Sequence, residues 1–147
     1  MPVRPPFISA DTDSSLIVMH YIAAAKAFAD PTRARILAGL RSGELCVCEL
    51  CDALDITQST LSTHLQVLRE AGWVTTRKEG KWSYYAIARP AQRAVDLLFE
   101  AFATSIAADR TLRADARCLG KRLQLRQSGS CCVGFGCDTP KEKAARA

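Results

Sequence analysis

Apolar residues recur at intervals of three and four along most of the chain, as they do on α-helices that bury one face. The clearest example is the segment 58–71, in which Leu61, Leu65 and Leu68 form a single stripe between polar neighbours. The same spacing predicts further helices over 14–29, 32–40, 90–106 and, with a weaker stripe that extends or restarts the one before, 109–126. The chain is therefore predicted to be mostly α-helical.

The segments on either side of the 58–71 helix have different patterns. Before it, a short helix ends near Leu54 and a three-residue turn follows. After it, alternating apolar and polar residues flank Gly80 and predict a hairpin with strands over 73–77 and 81–87. Two short helices joined by a tight turn and followed by a hairpin describe a winged helix-turn-helix, whose second helix enters the major groove of DNA.

Charge is distributed unevenly along the chain, whose formal net charge is +5. Residues 110–147 hold nine Lys or Arg and three Asp or Glu, a balance of +6, whereas residues 1–109 hold eleven and twelve, a balance of −1. Within 56–89 there are five basic and two acidic residues, a local +3 that includes the predicted hairpin. Positive charge in this place suits contact with DNA phosphates.

The candidate DNA contacts lie on the polar face of the 58–71 helix and on the hairpin. Amide and hydroxyl side chains can pair with base edges or phosphates, and basic side chains can hold phosphate oxygens or reach the minor groove. The predicted DNA-binding residues are Gln58, Ser59, Ser62, Thr63, His64, Arg77, Lys78 and Lys81. A solvated helix face beside an ordinary charged hairpin is the alternative interpretation.

Three of the seven cysteines, Cys46, Cys48 and Cys51, fall within six residues. In a regular helix Cys48 and Cys51 share a face, whereas Cys46 lies about 200° round from Cys48. All three can therefore reach one ion only if Cys46 precedes the helix or the first turn unwinds. Three thiolates without His suit a soft ion with a lone pair, such as trivalent arsenic or antimony, better than tetrahedral zinc. Cys51 alone could instead be a small buried apolar residue.

These segments resemble the ArsR/SmtB family of metal-responsive repressors, and its arsenic-responsive members in particular. Four segments within about 16–107 carry the resemblance: ADPTRARIL at 29–37, ELCVCELC at 44–51, QSTLSTHLQVLREAG at 58–72 and RKEGKW at 77–82. The resemblance implies a homodimeric repressor that binds operator DNA when metal-free and releases it when trivalent arsenic or antimony binds. It also implies that Cys46 and Cys48 are the principal ligands and Cys51 the third. The first helix and the helix from Pro90 would form the dimer interface.

The chain departs from the family's pattern in two places. Some members hold zinc in the last helix through Asp and His pairs, whereas the segment 95–109 has no His, so a zinc site is not predicted here. The tail adds Cys131, Cys132 and Cys137, which the short members lack. These cysteines could form a second arsenic site, or they could be redox-labile or ligand-free. From Ser128 onward the composition predicts disorder without a ligand.

Three parts are predicted: a flexible N-terminus over 1–13, a winged helix-turn-helix DNA-binding and dimerisation domain over 14–109, and a basic cysteine-containing extension over 110–147. Neither a membrane-spanning apolar run nor a secretory signal is evident. We therefore expect a cytoplasmic protein, in which clustered cysteines favour metal or redox chemistry over structural disulfides.

Other functions compete with an arsenic-responsive repressor. The same repressor could sense cadmium, lead or thiol oxidation, which titration of the DNA-bound protein with each inducer would separate. An arsenic carrier or a thiol reductase that uses the tail cysteines belongs to another class. An enzyme is not predicted, since the sequence has no Cys-x-x-Cys of thioredoxin type, no Gly-rich phosphate loop and no His-containing catalytic pair. No organic cofactor is expected.

Overall fold

The computed structural model of the 147-residue chain describes residues 17–131 and 134. The elements in this part of the chain are α1 (Ile17–Phe28), α2 (Pro31–Leu40), β1 (Leu45–Cys46), α3 (Val47–Leu54), α4 (Gln58–Glu70), β2 (Val74–Glu79), β3 (Trp82–Ile87), a 3-10 turn (Arg89–Ala91), α5 (Gln92–Ala101), α6 (Ala103–Ala108) and α7 (Arg110–Leu123). The prediction of a mostly helical chain with one β-hairpin is confirmed.

Helices α2, α3 and α4 form the centre of the fold. Their buried leucines are Leu37, Leu40, Leu50, Leu54, Leu61, Leu65 and Leu68, which include the predicted stripe of α4. The chain reverses between α3 and α4 at Asp55, whose φ of 55° lies in the left-handed region that Asp tolerates. Thr57 then begins α4, because its Oγ1 accepts a hydrogen bond from the N–H of Thr60 at 3.3 Å.

The predicted hairpin is present, with a two-residue turn. Strands β2 and β3 pair in antiparallel register up to Glu79 and Trp82, so β2 runs two residues further than its predicted end at Arg77. Gly80 occupies the turn with a φ of 57°, a conformation that favours glycine. This hairpin is the wing that follows α4.

A short strand that the sequence pattern does not predict lies on the other edge of β3. In β1, Leu45 pairs with Tyr85 and Cys46 pairs with Tyr84 in antiparallel register. The three-stranded sheet therefore has the order β1-β3-β2. As a result, Cys46 stands on a strand immediately before α3 instead of inside a helix.

The chain after the hairpin is divided into more pieces than predicted. In place of one helix over 90–106, a 3-10 turn leads into α5, and a break at Phe102 separates α5 from α6. Asp109 then caps a new helix, α7. Helix α7 folds back over α2 and α3, where Arg35 donates to both carboxylate oxygens of Asp115 at 2.6 and 2.9 Å.

The segment after α7 differs from the prediction of disorder from Ser128 onward. Gln127 and Ser130 pair across a tight turn, and Cys131 is buried. The prediction is therefore wrong for 128–131, because contacts with distant parts of the chain hold this segment in place. Two of the predicted tail cysteines lie outside the described residues: Cys132 and Cys137.

The division of the chain into three parts stays a prediction. The segment 1–13 lies outside the described residues. The boundary between 14–109 and 110–147 coincides with the start of α7, although α7 packs directly on two helices of the first part. Among the described helices, none combines the length and the apolar character needed to cross a membrane.

Candidate metal centre and nucleic-acid interface

Three thiols from distant parts of the chain form a buried cluster at the start of α3, which we call the thiol cluster. The Sγ atoms of Cys46, Cys48 and Cys131 all lie within 4.8 Å of one another, and these residues are 1%, 1% and 3% exposed. The Sγ atoms of Cys48 and Cys131 are 3.1 Å apart. The cluster therefore offers three sulfur ligands to one ion.

A different element places each thiol. Cys46 ends β1, which is one of the two arrangements that the sequence leaves open, and Cys48 lies in the first turn of α3. Cys131 follows α7, and its N–H donates to the Oη of Tyr84 at 2.9 Å. Tyr84 is also the β3 residue that pairs with Cys46. One residue of the sheet thus anchors both Cys46 and Cys131.

The surroundings of Cys46 and Cys48 favour different protonation states. The Cys48 side chain and the backbone N–H groups of Cys48 and Glu49 donate hydrogen bonds to the Cys46 sulfur, which lowers the pKa of Cys46 to about 6. The same contact with Cys46, together with burial, raises the pKa of Cys48. At neutral pH the cluster therefore favours a thiolate at Cys46, and a thiolate is the form that binds soft ions.

Cys51 is not part of the thiol cluster. It lies one turn further along α3, where it packs in the main hydrophobic core beside the buried leucines. Burial, and then the nearby charge of Asp52, raises the pKa of Cys51 to about 11. The structure thus brings Cys46 and Cys48 together with Cys131 and separates them from Cys51. The assignment of Cys51 as a third ligand stays a prediction.

Two arginines of the 110–147 extension form ion pairs with α3 beside the thiol cluster. Arg126 donates from Nε and Nη2 to the carboxylate of Glu49, both at 2.7 Å. Glu49 is completely buried and also accepts from the N–H of Cys46 at 2.8 Å. Arg122, likewise buried, donates from Nε to Asp52 at 2.8 Å. These buried charges are paired, as stability requires.

Arg122 also contacts the thiol cluster itself. Its Nη2 lies 3.7 Å from the Sγ of Cys48 and 3.6 Å from the Sγ of Cys131. The same nitrogen donates to the carbonyl oxygen of Gly134 at 2.7 Å. The guanidinium therefore lies within hydrogen-bond distance of two of the three sulfurs. The thiol cluster thus has the guanidinium of Arg122 beside its sulfurs, and the buried carboxylate of Glu49 accepts from the backbone N–H of Cys46.

The thiol cluster fits a soft trivalent ion better than zinc or a hard cation. All its donors are sulfurs, which select soft ions over magnesium or calcium. Zinc usually takes four protein ligands in a structural site, and among the described residues the cluster supplies three. Three thiolates match the charge and the coordination number of trivalent arsenic or antimony.

The sequence pattern does not identify the residues that hold the cluster together. It places Cys131 in a separate tail site and gives no role to Glu49. One signal is available, because Glu49 stands three residues after Cys46, which is the spacing of a capping box. Arg122 and Arg126 are four residues apart, yet nothing in the sequence shows which helix they meet.

Most of the predicted DNA-binding residues lie at the surface. They occupy exposed positions on α4 and on the hairpin. The exposed members are Gln58, Ser59, Ser62 and Thr63 on α4, and Arg77, Lys78 and Lys81 on the hairpin. This arrangement presents one helix and one basic hairpin on neighbouring surfaces, but contact with DNA stays a prediction.

Arg77 and His64, two of the predicted DNA-binding residues, lie against acidic side chains of the protein. Arg77 forms ion pairs with Glu44 at 2.5 Å and Glu79 at 2.6 Å, and the hydrogen bonds to Glu44 raise the pKa of Arg77. The half-buried ring of His64 places Nδ1 3.6 Å from a carboxylate oxygen of Asp30. His64 therefore faces the start of α2, unlike the exposed residues of α4.

A cavity of about 350 Å³ connects the thiol cluster with the surface at Gln58 and Lys81, two of the predicted DNA-binding residues. It is lined by the buried residues Cys46 and Cys48 and by the exposed residues Gln58 and Lys81. Trp82 forms part of its wall, with the Nζ of Lys81 4.8 Å from the ring centroid. A small solute can approach the thiols by this route.

Comparison with known proteins identifies the family. A family model described as bacterial regulatory protein, arsR family, matches residues 30–76. An arsenical resistance operon repressor from Bacillus subtilis is 40% identical over 76 residues, which are 51% of this chain and 72% of that protein. The chain belongs to the arsR family. An arsenic resistance transcriptional regulator from Pseudomonas putida is 46% identical over 76 residues, 51% of this chain and 59% of that protein.

The fold agrees with this family membership. A solved homodimeric winged helix-turn-helix DNA-binding domain from Mycobacterium bovis, a possible ArsR-family regulator, has a TM-score of 0.59 at 27% identity. The match covers 69% of this chain and 97% of that one. The predicted winged helix-turn-helix fold is therefore confirmed. The chain spans 59% and 72% of the lengths of the two arsenic-resistance relatives.

Proposed function

We propose that the protein is a homodimeric transcriptional repressor that binds operator DNA when metal-free and releases it when trivalent arsenic or antimony binds cysteine thiolates. The observation that carries this proposal is the position of the thiol cluster at the start of α3. This helix is the first of the helix-turn-helix, and only a short turn at Asp55 separates it from α4. An ion held by Cys46 and Cys48 therefore acts on the helix that positions α4.

DNA binding in this proposal uses α4 and the hairpin. Gln58, Ser59, Ser62 and Thr63 would meet bases or phosphates in the major groove. Lys78 and Lys81 would hold phosphate oxygens, so the affinity should fall steeply as salt is raised. His64 and Arg77, which already have partners within the protein, would have to exchange these contacts to reach DNA.

Dimerisation in this proposal uses α1, α5 and α6. Ile22 on α1, Leu97 on α5 and Phe102 at the end of α5 are 41%, 49% and 59% exposed. Helix α6 adds further small apolar residues, all on the surface apart from half-buried Ile106. Exposed apolar side chains on these helices are of the kind found at interfaces, and the similar domain from Mycobacterium bovis is a homodimer.

Release requires an ion that binds the DNA-free shape more tightly than the DNA-bound shape. Bonds from one ion to Cys46 and Cys48 would fix β1 relative to the first turn of α3. The orientation of α4 would then be fixed indirectly through α3. A coupling free energy of about 1–3 kcal/mol is typical of such linkage, and it is enough to lower DNA affinity about 5–150-fold.

The test measures fluorescence anisotropy of the promoter DNA upstream of the protein's own gene, with protein and then with arsenite. We expect tight binding followed by release. Cys46→Ser and Cys48→Ser should bind the DNA as the wild type does but resist release, because each removes one sulfur ligand. Cys118→Ser is the matched control, since Cys118 is buried in α7 outside the thiol cluster. Normal release by both cluster variants would contradict the proposal.

Thiol oxidation is a second candidate signal, and the contact between Cys48 and Cys131 favours it. A peroxide could take two electrons and two protons from these thiols, which would form a disulfide while hydrogen peroxide becomes two water molecules, or an organic peroxide becomes one alcohol and one water. Peroxide-treated protein should then lose DNA binding and regain it with a dithiol reductant. Cadmium and lead can be compared in the same titration, because they bind thiolates without oxidising them.

A further inference from the structure

We propose that the C-terminal extension supplies the third thiolate of the inducer site through Cys131, and that arsenic binding locks this extension onto α3. This inference rests on the proposed function and gives its site a ligand set of Cys46, Cys48 and Cys131. It replaces two separate predicted sites, one in α3 and one in the tail, by one site that joins them.

The position of Cys131 does not depend on the other two thiols alone. Its N–H donates to Tyr84, a buried residue of the central strand. The guanidinium of Arg122 lies against its sulfur and holds the carbonyl of Gly134, three residues further on. Contacts on both sides of Cys131 therefore aim its sulfur at Cys48, and little chain entropy remains to be lost when an ion binds.

Cys51 is a weaker candidate for the third ligand because of where its side chain lies. It packs with the main hydrophobic core, whereas the thiol cluster forms a separate cluster with Tyr84 and Trp82. The sulfur of Cys51 does not belong to the group of described sulfurs that lie within 4.8 Å of one another, so Cys51 would have to leave its place in that core to join Cys46 and Cys48. Loss of packing in a core typically costs about 1 kcal/mol or more, whereas Cys131 needs no such change.

The extension is held on α3 by the same elements that carry the ligands. Arg126 pairs with Glu49 and Arg122 pairs with Asp52, so two ion pairs flank the first two turns of α3. Counted from three neutral thiols, the reaction with arsenous acid breaks three S–H and three As–O bonds, forms three As–S and three O–H bonds, and releases three water molecules. Arsenic stays trivalent and no oxidant is needed. The product is a covalent link between β1, α3 and the extension.

If the extension supplies a ligand, arsenite should protect the extension from proteolysis. A site confined to α3 would give no such protection. The experiment compares full-length wild type with Cys131→Ser, Cys51→Ser and Cys132→Ser. Two quantities are measured: the arsenite concentration for half-release of DNA, and the rate of tryptic cleavage at Arg122 and Arg126 with and without arsenite. X-ray absorption of bound arsenic counts its sulfur neighbours independently of DNA and of any change in folding.

We expect Cys131→Ser to raise the arsenite concentration for half-release at least about tenfold, equivalent to about 1.4 kcal/mol. Arsenite should slow tryptic cleavage in the wild type but not in this variant, and the sulfur count should fall from three to two. Cys51→Ser and Cys132→Ser should match the wild type. DNA binding without arsenite is the control for folding of each variant.

Two outcomes would overturn the inference and can be told apart from failure of the proposed function. Wild-type behaviour of Cys131→Ser in all three measurements would exclude the extension from the site, as would loss of response in Cys51→Ser or Cys132→Ser instead. If release still needs Cys46 and Cys48, the repressor proposal stands without this ligand. If the wild type is not released by arsenite at all, both fail together.

Discussion

At the scale of single residues, Glu49 connects the chemistry of the thiol cluster to the stability of the fold. Its carboxylate is completely buried, yet it accepts hydrogen bonds from the N–H of Cys46 and from two nitrogens of Arg126. It thereby fills the capping role at the start of α3 and holds the extension at the same time. A buried carboxylate is tolerated here because both of its oxygens accept hydrogen bonds.

Glu49→Gln should therefore destabilise the protein by removing the charge and one of the two acceptor oxygens, while the shape of the side chain stays nearly the same. Arg126 would be left half-buried without its anion. We expect a loss of about 2 kcal/mol in the free energy of unfolding. Breaking a fully buried ion pair costs about 3–5 kcal/mol, and the loss should be smaller here because the Arg126 side chain is 22% exposed. Urea unfolding measures it.

The control for this prediction is Glu79→Gln, which breaks the exposed ion pair with Arg77. A surface pair contributes little, so this change should alter the free energy of unfolding by less than about 1 kcal/mol. Equal losses in the two variants would mean that burial does not decide the strength of the Glu49 pair.

At the scale of elements, local pattern predicts some of the structure well. The stripe of Leu61, Leu65 and Leu68 fixes both the extent and the buried face of α4, because helix periodicity is a local property. Gly80 likewise marks the hairpin. Strand β1 is not predictable in this way, since two residues carry no periodicity and their pairing with β3 joins segments about 40 residues apart.

Two glycine substitutions test how far local backbone preference governs these elements. Gly80 has a φ of 57° in the turn of the hairpin, whereas Gly120 lies on the exposed side of α7 with open space where an alanine methyl group would lie. Gly80→Ala should cost about 1–2 kcal/mol in the free energy of unfolding. Gly120→Ala should add about 0.5–1 kcal/mol, because alanine loses less backbone entropy in a helix. Thermal unfolding should therefore show a lower melting temperature for Gly80→Ala and a higher one for Gly120→Ala. Equal shifts in the two variants would contradict the explanation.

At the scale of the whole molecule, the site depends on contacts that no short segment contains. Cys48 and Cys131 are 83 positions apart, and they meet only because α7 folds back over α2 and α3. That return is fixed by pairs such as Arg35 with Asp115, whose members are ordinary charged residues in the sequence. The family resemblance implies that Cys46 and Cys48 are ligands, but it covers no part of the extension and so cannot place Cys131.

The proposed dimer interface is a surface made by separate helices, and a charge placed at an exposed apolar residue would test it. Phe102 is the most exposed large apolar residue among those whose exposure the structure describes, and it lies where α5 meets α6. Phe102→Glu would place a charge in the proposed interface, where desolvation without a partner is costly. We expect this variant to elute as a monomer with native circular dichroism, and to bind promoter DNA far more weakly because a monomer contacts only one half-site.

Leu125→Glu is the matched control for this prediction. Leu125 is 41% exposed, as Ile22 is, but it belongs to the segment after α7 instead of α1, α5 or α6. Size-exclusion chromatography with light scattering should therefore show a dimer for Leu125→Glu and a monomer for Phe102→Glu. A dimer in both cases would move the interface away from α5 and α6. A monomer only for Leu125→Glu would place the interface on the extension, where it would compete directly with the docking of Cys131 on α3.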